Sequence, residues 1–141
     1  MTAALPPNIQ EFNEVAGIIF AQLYASFPVP RDLHRHEVET LLGRPVSGIE
    51  RPNMFAHTLS WLVHQGYVAA YGTMNHERAF LTDKALGAMN VVPDFGQTLG
   101  SQLVKATEEA SSETGKNKIA ELVGSFFGSF IGSATKSLSG G

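Results

Sequence analysis

The stretch that decides the fold is residues 54–82, which read MFAHTLSWLVHQGYVAAYGTMNHERAFLT. Apolar side chains recur at helical spacing over 54–65, with Asn53 before them as an N-cap and Gly66 after them as a stop. The alternating, β-prone residues that follow predict a β-hairpin over 67–81. A helix that leads directly into a hairpin predicts a domain that is mostly α with a small β-hairpin.

The residues before this stretch predict two more helices. The first begins with Asn8 as its N-cap and ends before Pro28. Its apolar residues cover so much of its circumference that we expect a central helix or part of a dimer interface. A shorter helix is predicted over 33–42, with Asp32 as its N-cap. The loop 44–53 that follows is longer than the turn of a tight helix-turn-helix.

The residues after the hairpin predict a second helical region. Thr82 is placed to cap a helix from 83 to about 90, and 97–113 has a narrow apolar stripe at helical spacing. Residues 111–118 read as a polar break. The last predicted helix, 119–138, has an unusual composition of glycine, phenylalanine and serine.

The helix, the Gly-Tyr-Val that follows it, the hairpin and the closing Phe-Leu-Thr-x-x-Ala together resemble winged helix-turn-helix regulators of the MarR/PadR kind. The likeness covers about residues 9–90, and Ala85 stands where that family usually has glycine. It implies a winged helix domain, which we place over 1–93. The helical extension over 94–141 lies outside the likeness, and we expect it to mediate dimerisation. The residues that carry the likeness are Leu62, Gly66, Tyr67, Val68, Phe80, Leu81 and Thr82.

Composition and charge restrict the classes of function. Hydrophobic residues make up 43% of the chain and charged residues 16%, which is typical of a globular protein. Cysteine is absent, and no motif for nucleophilic or acid–base catalysis occurs, so we expect neither an enzyme nor a cofactor or metal site. The net charge of −3 argues against strong nonspecific binding to DNA. The start has no signal-peptide pattern and no apolar run is long enough to span a membrane, so a cytoplasmic protein is expected.

The resemblance implies that the predicted helix 54–65 reads double-stranded DNA as part of a homodimer, with the hairpin as the wing. Its outward arc carries histidine and serine but no arginine or lysine, so phosphate contacts must come from flanking arginines. The candidate DNA-binding residues are Arg44, Arg51, Asn53, His57, Ser60, His64 and Arg78.

Two features favour a protein partner instead. Trp61 lies on the same outward arc, where it is covered by another segment of the chain, contacts a partner protein or meets a base. Glycines four residues apart in the last helix each cost about 1 kcal/mol relative to alanine, which only a docked helix offsets. Docking within the chain or in a dimer, docking on another protein, and peripheral attachment to a membrane are the three interpretations. The candidate interface residues are Trp61, Val123, Gly124, Phe126, Phe127, Gly128, Phe130 and Gly132.

Overall fold

A computed structural model describes residues 5–44, 53–73, 76–92 and 96–139. These residues are mostly helical, with a small antiparallel sheet. In chain order the elements are α1 (Pro7–Ser26), β1 (Arg31–His34), α2 (Arg35–Leu41), α3 (Met54–His64), β2 (Val68–Thr73), β3 (His76–Leu81), α4 (Asp83–Met89), α5 (Leu99–Ala106), a 3-10 turn (Thr107–Glu109) and α6 (Glu113–Ser139).

The sheet has three strands in the order β1-β3-β2, and both pairs are antiparallel. The hairpin register pairs Val68 with Leu81, and β1 adds Arg31 opposite Ala79 on the other side of β3. Val68, Ala79 and Leu81 are buried, so one face of the sheet contributes to the hydrophobic core. The hairpin prediction is therefore confirmed, and the sheet gains a third strand that was not predicted.

Helix α1 is the centre of the core. Ile18, Ile19, Phe20 and Leu23 are fully buried, and the helix contacts α3, α5 and α6. Gly17 lets α6 come close, because a Cβ at this position would overlap the side chain of Ile119. Burial on several sides is the reason why apolar residues occupy so much of the circumference of α1.

Three local signals around the hairpin are confirmed. The Asn53 side chain accepts a hydrogen bond from the Ala56 backbone N–H (3.0 Å), and the Thr82 hydroxyl accepts one from Ala85 N–H (3.4 Å). Each therefore caps its helix, α3 and α4 respectively. Gly66 follows α3 with a φ of +81°, a backbone conformation that residues with a Cβ rarely adopt.

Other boundary predictions are wrong. Asp32 caps no helix, because it lies within β1 opposite Arg78, and α2 begins only at Arg35. Asn8 is not the N-cap of α1, which begins one residue earlier at Pro7, a residue whose fixed φ suits the first helical position.

The region before α6, which we call the tail, also differs from the prediction. The stripe over 97–113 forms only α5 and the 3-10 turn, and α6 already begins within the expected polar break. The Ser112 hydroxyl accepts a hydrogen bond from Gly115 N–H (3.0 Å) and so supports the first turn of α6. Gly115 is buried there because its Cα lies against the backbone of Glu109. These contacts explain why the polar sequence at the start of α6 is helical.

The tail belongs to the same hydrophobic core as α1. Ile119, Val123 and Phe126 are fully buried, and the Phe126 ring lies 4.5 Å from the Phe20 ring, centroid to centroid. Burying such side chains stabilises the docked helix by roughly 2 kcal/mol each. Among the helices in the described ranges, none is long and apolar enough to cross a bilayer.

Candidate functional site

Trp61 is a half-covered aromatic side chain on α3. It is 43% exposed, although aromatic rings from three other parts of the chain support it. Phe12 of α1 and Phe127 of α6 meet the indole edge-on, at centroid distances of 5.3 and 5.8 Å, and Tyr67 stacks on it at 6.1 Å. The tail therefore covers Trp61 in part and leaves the rest of the ring at the surface.

An apolar groove lies beside Trp61, between the first turns of α1 and the length of α3. Its volume is about 450 Å³. Ile9 forms one edge and is 41% exposed. The described residues that line it include no aspartate, glutamate, lysine or arginine. We call this the Trp61 groove; its residues are Asn8, Ile9, Phe12, Met54, His57, Thr58 and Trp61.

A second groove separates α3 from the inner face of the hairpin and also has a volume of about 450 Å³. His57, Ser60 and His64 line it from the helix, and Ala70 and Glu77 line it from the sheet. Three predicted base-contacting residues thus lie together and exposed on one side of α3. Asn53, a fourth, is the N-cap, and its side-chain oxygen already accepts the hydrogen bond described above.

Two of the predicted phosphate-binding arginines form ion pairs with carboxylates of the same chain. Arg44 forms ion pairs with Glu11 (3.5 Å), Glu14 (3.3 Å) and Glu39 (3.4 Å), and the carboxylates of Glu14 and Glu39 are almost completely buried. This cluster lies between α1 and the end of α2. Three carboxylates around one guanidinium give it a net negative charge, so it offers little attraction to phosphate.

Arg78 is the arginine of the hairpin. Glu77, its neighbour in β3, lines the groove between α3 and the hairpin. Because side chains alternate along a strand, Arg78 points to the other face of the sheet. There it pairs with Asp32 at 3.2 Å, and both side chains are about half exposed. The third arginine, Arg51, lies outside the described residues. Neither described arginine adds positive charge to the exposed side of α3.

The two sides of the tail helix have different surroundings. Val123 and Phe126 are buried, and Phe127 and Phe130 are half-buried against the core, so the phenylalanine side docks within the chain. Gly124 and Gly128 are on the exposed side, and a Cβ built on either one meets no atom within 4 Å. Close backbone packing along these two glycines is therefore not present among the described residues. The surroundings of Gly132 lie outside them.

Lys84 of α4 contacts aromatic rings of Tyr67 and of the tail. Lys84 Nζ lies 4.2 Å from the centroid of the Tyr67 ring and 5.5 Å from that of Phe130, and it donates a hydrogen bond to the Gln65 carbonyl (2.9 Å). Burial raises the pKa of the Tyr67 hydroxyl above its ordinary value. This contact holds Phe130 and Tyr67 behind Trp61 and so supports the groove wall.

Sequence reasoning missed Ile9 and Phe12 as parts of the surface around Trp61. Their only signal was the apolar width of α1, which does not say which residues remain exposed at its first turns. In the described ranges, no group of three or more His, Asp or Glu side chains is arranged to hold a metal ion.

Comparisons with protein-family models, with curated protein sequences and with solved structures found no match for the chain.

Proposed function

We propose that the chain is a winged-helix protein that binds a protein partner through the Trp61 groove and carries out no chemistry itself. The order helix, strand, helix, helix, strand, strand supports the winged-helix assignment, as does the sheet order β1-β3-β2. In this arrangement α3 stands where a recognition helix would be, and the hairpin stands where a wing would be.

The observation that carries the proposal is the exposure of Trp61 beside an uncharged, apolar groove. Tryptophan and other large aromatics are concentrated at the energetic centres of protein interfaces. A tryptophan whose ring is already held by Phe12, Tyr67 and Phe127 loses little side-chain freedom on binding, so more of the contact energy remains for affinity.

Sequence-specific DNA binding by a homodimer is the second candidate, and the exposed row His57, Ser60 and His64 on α3 favours it. Histidine and serine can hydrogen-bond base edges. Affinity for DNA comes largely from cations at phosphates, however, and Arg44 and Arg78 are engaged by carboxylates. For this reason we place the protein partner first.

The test uses a photo-crosslinking amino acid introduced at Ile9, in the groove, and separately at Val29, which is 64% exposed and lies beyond the other end of α1. Ile9 and Ser26, the last residue of α1, are about 25 Å apart along the helix axis at a rise of 1.5 Å per residue, and the Val29 N–H bonds to the Ser26 carbonyl. In cells that produce the protein, irradiation should yield a covalent adduct with another protein from position 9 and none from position 29.

A parallel experiment addresses the second candidate. Full-length protein is incubated with a random pool of duplex DNA at low salt, and the bound fraction is sequenced. Recovery of a preferred sequence, together with no protein adduct from position 9, would replace the proposed function with DNA recognition. Substituting Ser60 with alanine should then weaken binding to the recovered sequence.

A further inference from the structure

We infer that the occupant of the Trp61 groove is a short amphipathic helix of the partner protein, inserted by its apolar side. This inference depends on the proposed function and goes further, because it names the kind of segment that binds. Groove length, the chemistry of its walls, and its area and charge support it independently.

The length of the groove matches about two helical turns. The α3 wall runs from Met54 to Trp61, seven residues or about 10 Å along the axis. The α1 wall is shorter, since Asn8 and Phe12 are one turn apart. A helix laid along this trench would place side chains at positions i, i+3 or i+4, and i+7 against it.

The walls are helices, and this determines which backbone conformation can bind. After the first turn, helical N–H and C=O groups bond within their own helix, so the two walls offer no continuous row of free backbone groups to which a strand could be added. An extended peptide would therefore bury unpaired backbone groups in an apolar trench and lose their hydrogen bonds to water, which opposes binding. A helical segment satisfies those groups internally and avoids the cost.

The area and charge of the groove favour a short segment over a second copy of the chain as the occupant. The exposed parts of Ile9 and Trp61, with the half-buried Phe12 and Met54, amount to roughly 250 Å² of apolar surface. A stable dimer buries about 800 Å² on each partner. Because the described residues of the lining include no carboxylate, lysine or arginine, the contacting side of the occupant should also be apolar and uncharged.

The experiment uses a displayed library of random peptides of about 16 residues, enough for about four helical turns, selected against the full-length chain. Binding of the selected peptides is followed by the fluorescence of Trp61, the only tryptophan in the chain. Their helicity on binding is followed by circular dichroism. Enriched peptides should carry apolar residues at i, i+3 or i+4, and i+7, should gain helicity on binding, and should shift the emission of Trp61 to shorter wavelength.

Matched variants locate the site. Ile9→Asp should weaken peptide binding about tenfold or more, because it places a carboxylate in the groove wall. Val29→Asp makes the same change in an exposed side chain at the other end of α1 and should leave affinity unchanged. Ile9 lies in the first turns of α1, where an acidic residue favours the helix, so the variant should fold; a thermal melt checks this.

The outcomes distinguish this inference from the proposed function. If the adduct formed at position 9 maps to an amphipathic helix of the partner, the inference is supported. If it maps to an extended segment, a flat surface of a folded domain or a second copy of this chain, the inference is overturned while protein binding stands. Enrichment only of proline-rich or extended peptides also overturns it. Absence of both a protein adduct and enriched peptides rejects the inference and the proposed function together.

Discussion

Alanine at Gly124 and Gly128 should stabilise the protein. Glycine in a helix interior costs about 1 kcal/mol relative to alanine, so the free energy of unfolding should rise by about 1 kcal/mol per site and about 2 kcal/mol in the double variant. Among the described residues, the new methyl groups meet no atom within 4 Å, so no steric term from them opposes the gain. The midpoint of thermal unfolding of the double variant should rise by roughly 6 °C.

The measurement is urea unfolding followed by circular dichroism, with Gly17→Ala as the matched control. Position 17 is also helical, but there a Cβ would overlap the side chain of Ile119 and lie 3.1 Å from Val123 Cγ2. Overpacking of this kind costs about 1–3 kcal/mol. The same substitution should therefore stabilise the exposed side of α6 and destabilise the α1–α6 contact.

Lower stability of the double variant would refute this reasoning, because it would mean that the glycine side is packed in solution. Repeating the unfolding and a sedimentation run at several protein concentrations would then identify what covers it. A loss that grows with concentration would show that a second copy of the chain packs on the glycines. A loss independent of concentration would place a segment of the same chain there.

The remaining predictions concern two ion pairs and two buried side chains, each measured by urea unfolding. Arg44→Met should lower the free energy of unfolding by about 3–5 kcal/mol, because Glu14 and its neighbours lose their buried partner; Arg78→Ala breaks an exposed pair and should cost less than about 1 kcal/mol. Thr58→Val should stabilise by about 1 kcal/mol, because the buried hydroxyl has no hydrogen-bond partner among the described residues, and a measured loss would contradict that. Burial raises the pKa of Tyr67, so the folded state holds this proton more tightly than the unfolded state. Stability should accordingly fall as pH rises above about 10, and Tyr67→Phe should show a smaller fall between about pH 9 and 11; an identical fall in both proteins would exclude the contribution.

The two arginine substitutions also bear on function. If the chain binds DNA, Arg44 and Arg78 should contact phosphates. In the structure, Arg44 instead pairs with the buried Glu14 and Glu39, and Arg78 pairs with the half-exposed Asp32. If Arg78→Ala leaves both stability and partner binding intact, the exposed arginine of the hairpin has no part in recognition. A loss of binding at unchanged stability would instead support a role for the hairpin.

Local signals in the sequence determined the elements around residues 54–82. Asn53, Gly66 and Thr82 act on backbone groups within about four residues of themselves, so their roles follow from neighbouring residues alone. The hairpin follows from alternation and the turn between its strands for the same reason. Helical spacing likewise identified the phenylalanine side of the tail as a docking face.

Only the tertiary structure decided what these elements do together. Residues 31–34 become a strand because β3 offers an edge to Asp32 and its neighbours, 46 positions away from Arg78 along the chain. Arg44 acquires carboxylates from α1 and α2, and Trp61 acquires a groove from Ile9 and Phe12. Spacing along one segment fixes which residues share a face, but not which distant face lies opposite. That is why the sequence identified a helix followed by a hairpin, with Trp61 on the outward arc, but did not show that Arg44 and Arg78 are engaged by carboxylates or how much of Trp61 other segments cover.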